Sequence, residues 1–326
     1  MHPALSVILL TTLIGVGQGL FLALYTGQVY SLIQLIPMQE SQRFYANGAA
    51  VSLAFLIAGL IASFFHLGRP ERAWRSATRW RTSWLSREVI VLPIMMALVF
   101  TYAVIHYFGW TQPLFTLPGD MPIDASLIVG ALGTLAAFAL FLSTGMIYAS
   151  IRFLQEWASP LTVINYTLLG GASGFTLAAA FSAYLGLDLV GFFGWWAVVL
   201  TLAAAVTRIS SLIRNRRLKH KSNLQTAIGV RHNRIQQKAQ GAMGGSFNTR
   251  EFFHHRGPGA MAFMRLAFLI LVFPVPIALL ASAWFSHSEY LALAAFAVQY
   301  IGLLAERWYF FADAQHPQNL YYQTVS

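Results

Sequence analysis

MHPALSVILLTTLIGVGQGLFLALYTGQVYSLIQLIPMQ, residues 1–39, contains no Asp, Glu, Lys or Arg. A helix needs about 20 predominantly apolar residues to cross the hydrocarbon core of a bilayer, and this stretch exceeds that length. It does not read as a cleaved leader. No cation precedes the apolar run, since the first Lys or Arg is Arg43, and a leader's apolar region is only about 7–15 residues long. It reads as a first spanning helix, in which Gly15, Gly17 and Gly19 would let a neighbouring helix come close.

Working outward, similar stretches without charged side chains follow at 44–68, 89–119, 125–151, 157–187, 189–207, 266–288 and 290–305, the last resuming through 308–312. Turn-forming residues separate them: Pro37, Pro113 and Pro118, Pro160, Gly186 with Asp188, and His287 with Ser288. The expectation is an all-α membrane protein with eight transmembrane helices. The single polytopic domain covers residues 1–326, with a basic loop at 208–256 between helices 6 and 7. No 20–50-residue repeat is visible. Composition agrees: 57% of the 326 residues are hydrophobic and 10% charged, against about 25% charged in a soluble domain. The net charge of +10 would ordinarily suggest nucleic acid. A protein this apolar has no aqueous face to display such a site, so no nucleic-acid partner is expected. Cysteine is absent, which excludes disulfides, thiolate zinc sites and thiolate-bound iron–sulfur clusters within the chain.

Eight helices put the N-terminus, the 2–3, 4–5 and 6–7 connections and the C-terminus on one side. Twenty of the 21 cations fall on that side, and Arg43 alone falls on the other. The opposite side carries Glu40, Asp120, Asp124, Asp188 and Glu289. Lys and Arg accumulate on the cytoplasmic side of membrane proteins, so both termini are expected in the cytoplasm.

The chemistry concentrates in FFHLGRPERAWRSATRWRTSWLSREV, residues 64–89. Tryptophans and arginines at a membrane surface have an ordinary explanation in lipid headgroups. His66, closing helix 2, and Glu88, opening helix 3, are harder to dismiss, because ionisable groups at membrane depth usually face a cavity or a partner. They could exchange protons with a ligand between them, or simply staple the two helices by a hydrogen bond. Elsewhere, Glu306 and Arg307 are adjacent on a helix and cannot face each other, so each is expected to pair with another helix. Arg152 and Glu156, at i and i+4, read as a surface pair. His66 and His106 lie at opposite ends of their helices, and no matched pair of axial ligands exists for a haem. No metal site has recognisable spacing.

HLGRPERAW followed by LSREV resembles the helix 2–3 motif of the DmsC-like membrane anchor subunits of DMSO reductase family molybdoenzymes. The likeness extends to HPALSVILLTTLIGVGQGL, MIYASIRFLQEWASPLTVINY and ERWYFFADAQHPQNLYY, covering most of the sequence. It implies a haem-free anchor that reacts with ubiquinone or menaquinone in the bacterial cytoplasmic membrane. It further implies an iron–sulfur subunit with [4Fe–4S] clusters and a molybdopterin catalytic subunit as partners. His66 and Glu88 match the positions that hold or protonate the quinone. Gly68, Arg72, Trp74 and Ser76 match neighbouring positions of the quinone pocket or partner-docking face. With the 2–3 loop on the cytoplasmic side, the sequence is most similar to the sulfite-oxidising branch, the SoeC-type anchors of cytoplasmic sulfite dehydrogenases. The same anchor run in reverse would oxidise quinol for a DMSO-type reductase. A transporter is a third reading, for which Pro274 and Pro276 could supply a broken helix.

Overall fold

The computed structural model describes residues 1–118, 121–232, 234–236, 238 and 251–321. Among them are eight helices long and apolar enough to cross a membrane: α1 Leu5–Leu32, α2 Ser41–Phe64, α3 Trp84–Phe108, α4 Ala125–Ala149, α5 Pro160–Tyr184, α6 Val190–Arg216, α7 Pro258–Ser286 and α8 Glu289–Ala312. The protein is a multi-pass helical bundle, as the hydropathy predicts.

Ends of helices are set by capping, which hydropathy does not register. Ser83 accepts from the backbone N–H of Ser86 and starts α3. Asp124 does the same for α4, Ser159 for α5 and Ser288 for α8. These side chains satisfy amides that have no partner within the helix. Gly109 ends α3 in the left-handed region, with φ +69°, where a side chain would be strained.

Three expected boundaries move. Helix α3 begins at Trp84 and takes in Arg87 and Glu88. Helix α7 begins at Pro258 and takes in Arg265. Helix α6 continues to Arg216, so the first nine residues of the 208–256 segment are helix rather than loop. Long cationic side chains near a helix end let the helix pass through the interface. Residues 239–250 of that segment, and Asp120, lie outside the described residues. The all-α expectation also misses a small antiparallel hairpin, β1 Pro113–Leu117 with β2 Met121–Asp124, between α3 and α4.

Helices α1 and α5 are the most buried and form the axis of the bundle. They meet through glycine. A Cβ on Gly19 would lie 2.1 Å from the carbonyl oxygen of Gly170, and one on Gly174 would lie 2.0 Å from the carbonyl carbon of Gly19. Backbone therefore touches backbone, the contact that small residues permit in membranes. Helices α2, α3 and α4 pack around one side of this axis, and α6, α7 and α8 around the other.

Helix α7 breaks at Phe273, between Pro258–Val272 and Pro274–Ser286. Pro276 has no N–H for the Val272 carbonyl four residues back. The Gln299 amide of α8 donates to that carbonyl at 3.4 Å and to Thr201 of α6 at 3.2 Å. The break expected of a transporter is present, but a neutral amide meets it.

One end of the bundle collects the 2–3 and 4–5 connections, the described residues that flank α6 and α7 there, the N-terminus and the residues that follow α8 as far as 321. Asn319 donates to the carbonyl of Phe252, and Arg214 to the carbonyls of Gln155 and Ala158. At the opposite end, His106 is buried, hydrogen-bonded through Nδ1 to Ser41 at 2.6 Å and stacked on Tyr45.

Candidate functional site

Glu88 is the fifth residue of α3 and only 7% exposed. Its carboxylate accepts a hydrogen bond from Thr144 Oγ1 of α4 at 2.5 Å. Buried carboxylates require such a partner, because a charge or acid group in apolar surroundings is costly unless hydrogen-bonded. One turn further along α4, Tyr148 stacks on Tyr166 of α5, with ring centroids 5.6 Å apart.

His66 stands two residues beyond the end of α2, exposed at the rim. Partial burial still holds its imidazole below the ordinary histidine value. No hydrogen bond or ion pair joins His66 to Glu88, so the stapling alternative is not what holds α2 to α3. The two groups occupy the same end of adjacent helices, one inside the bundle and one on its rim.

The intervening segment forms a 3₁₀ helix, Pro70–Arg79. Ser76 lies on its inward row and donates to the carbonyl of Ala73. The Ser76 carbonyl in turn accepts from Ser86 Oγ of α3. Arg72 contacts Glu71 at 3.8 Å. Trp74 points outward, 65% exposed, so it lines a surface rather than a pocket. Gly68 has open space where a Cβ would stand and no unusual backbone angle; nothing in the structure explains why glycine is needed there.

Glu306 is completely buried and meets Arg208 Nε of α6 at 2.7 Å, the inter-helix partner its position demands. Arg208 is thus a buried ion-pair member, whereas the sequence places it among the loop cations. Contrary to expectation, Arg307 also reaches its neighbour Glu306, at 3.0 Å. Its side chain is long enough to fold back, and its guanidinium lies 3.7 Å from the Tyr166 ring centre. The contacts of Arg208 are ionic rather than aligned hydrogen bonds.

The expected Arg152–Glu156 pair is absent. Residues 151–159 are not helical, so the i, i+4 geometry does not exist. Glu156 is buried, faces His220 at 3.8 Å, and is raised above the usual carboxylate range chiefly by desolvation. A cavity of about 900 Å³ near Phe153, His220, Arg256 and His316 is lined by none of the predicted site residues. Thr144, Tyr148, Tyr166 and Arg208 escape sequence reading, because hydroxyls and a helix-terminal arginine leave no mark in hydropathy.

Fold and site together define a helical multi-pass membrane protein that carries ionisable side chains inside its spans near one end, the architecture of an integral membrane subunit. The sequence matches the family described as DMSO reductase anchor subunit (DmsC) over residues 1–308, and the protein belongs to that family. It is 61% identical over all 326 residues, the full length of both proteins, to the C subunit of the sulfite dehydrogenase of Allochromatium vinosum. It is 28% identical over 153 residues to the C component of the anaerobic dimethyl sulfoxide reductase of Haemophilus influenzae, covering 47% of this protein and 51% of that one. The protein is accordingly the membrane anchor of a multi-subunit DMSO reductase-family oxidoreductase complex, without the catalytic centre itself.

Proposed function

We propose that this anchor passes electrons from sulfite oxidation to membrane quinone, from the cytoplasmic side of a bacterial inner membrane. The full-length likeness to an anchor named for sulfite dehydrogenase supports the substrate, and the cation asymmetry supports the orientation. On this reading a molybdopterin subunit oxidises sulfite, and an iron–sulfur subunit with [4Fe–4S] clusters docks at the end of the bundle that holds the 2–3 connection.

The observation that carries the quinone role is Glu88, a carboxylate buried at that end that accepts a hydrogen bond from Thr144. The donor set fits a ligand with two carbonyl oxygens. The His66 imidazole, neutral at pH 7, can donate through its N–H, and the Glu88 carboxyl can donate or return a proton. A bound quinone supplies the two-electron acceptor. Thr144 fixes the orientation of the carboxyl. The inward row of the 3₁₀ helix, with Ser76, holds the segment from Gly68 to Arg72 over the α2 and α3 ends. The ion-paired Glu306 and Arg307 brace α8 against α5 and α6 behind the site.

The test uses the assembled complex with His66→Gln and Glu88→Gln. Sulfite-dependent quinone reduction should fall by about 10²–10⁴, the usual contribution of a positioned acid–base group. Sulfite-dependent reduction of a soluble dye should stay at the wild-type rate. A parallel loss of both activities assigns the two residues a purely structural part.

A further inference from the structure

The outer face of the 3₁₀ helix Pro70–Arg79 has no place in the chemistry just described. One hydrogen bond ties it to α3, and two more tie the turn that follows it. Ser86 Oγ donates to the carbonyl of Ser76. Arg87 donates through Nε to the carbonyl of Trp80 at 3.0 Å and through Nη2 to that of Arg81 at 2.9 Å. Ser86 and Arg87 belong to the first turn of α3. The helix is therefore tied to the first turn of a membrane span, where spans meet the headgroup layer.

There the face is both aromatic and cationic. Trp74 and Trp80 are exposed, and Phe65 and Leu85 at the adjoining helix ends are exposed as well. Ile57, Ile61 and Phe64 on α2 are exposed too. Guanidinium groups lie over the indoles in three pairs: Arg75 on Trp74 at 5.6 Å, Arg81 on Trp80 at 5.4 Å, and Arg87 on Trp84 at 4.1 Å. Arg72 contacts Glu71, while Arg69, Arg75, Arg79 and Arg81 have no acidic partner among the described residues. Indoles favour the membrane interface, and cations there are attracted to anionic headgroups.

We propose that this ridge is a phospholipid headgroup site, with Trp74 and Trp80 seated in the interfacial layer and Arg75 and Arg81 binding the phosphates of anionic lipid. An acidic protein surface would satisfy the guanidinium groups equally well. It would not account for exposed indoles and apolar side chains tied to the start of a span. The lipid binding does not rest on the quinone role.

The complex is reconstituted in nanodiscs of phosphatidylcholine into which brominated phosphatidylglycerol or brominated phosphatidylcholine is titrated, and tryptophan quenching is followed. The glycerol lipid should quench at lower mole fraction. The double variant W74F/W80F should lose that component. R75Q/R81Q should reduce the preference about fivefold per arginine, and R75K/R81K should keep it. Equal quenching by the two lipids in the wild type overturns the proposal. So does undiminished quenching in W74F/W80F, or loss of the preference in R75K/R81K. Shielding of these tryptophans from lipid by the partner subunits overturns it too, making the ridge a protein contact. None of these readings depends on quinone reduction, so failure here and failure of the quinone role are separable.

Discussion

Glu88 and His66 differ in how their surroundings treat charge, and the difference is measurable. Desolvation lowers His66 from its ordinary value of about 6.5, so its neutral form dominates at pH 7. The proton is taken up only as pH falls through that lowered value. Over the window between the lowered value and about 6.5, the unfolded state binds more protons, and stability rises with pH. For quinone reduction, the acid limb of the pH–rate profile should lie below pH 6.5 and should vanish in His66→Gln. An inflection unchanged in that variant would assign the limb to another group. Glu88 is legible in sequence because a carboxylate among apolar residues is conspicuous. Thr144, which holds it, is not, because a threonine within a span is unremarkable until the neighbouring helix is placed.

The α1–α5 contact puts the strongest constraint on any single element. Gly174→Val would push side-chain atoms into the backbone of Gly19 and Leu20, where a Cβ already falls 2.0–2.3 Å from main-chain atoms. Helices cannot yield there as a flexible side chain would, so the cost should reach at least the upper end of the usual overpacking range of about 1–3 kcal/mol. The midpoint of thermal unfolding in detergent should drop, with Gly171→Ala as a mild control because a Cβ there meets only Leu200, at 3.5 Å. The glycine run of α1 announces a close approach in the sequence, but its partner on α5 comes from the fold. Span cores are equally legible, whereas span ends are not. Arg208 interrupts an apolar run and so marks a boundary by composition, yet α6 continues past it and buries it against Glu306.

At the scale of the molecule, the distribution of cations predicts that Met1 and Ala314, which meet at one end of the bundle, both face the cytoplasm. Reporter fusions active only in the cytoplasm should work at either end, and a reporter in the 113–124 hairpin should not. The ion-pair cluster of Arg208, Glu306 and Arg307 ties α6 to α8 near the same end. Glu306→Gln would leave two buried guanidinium groups without their carboxylate. Removing one partner of such a pair costs about 3–5 kcal/mol, so the variant should unfold at markedly lower temperature. A double variant that replaces Arg208 and Glu306 by apolar residues of similar size should recover part of the loss.

Helix α3 carries Glu88 near one end and His106 near the other, 18 residues apart on a shared buried face, a rise of about 27 Å. Between them the buried face consists of Leu92, Met95, Val99, Tyr102 and Ile105. At an effective dielectric constant of about 20, unit charges that far apart interact by only about 0.6 kcal/mol, equivalent to less than half a pH unit. The helix thus acts as an insulated rod. A change of charge at either buried group would scarcely register at the other.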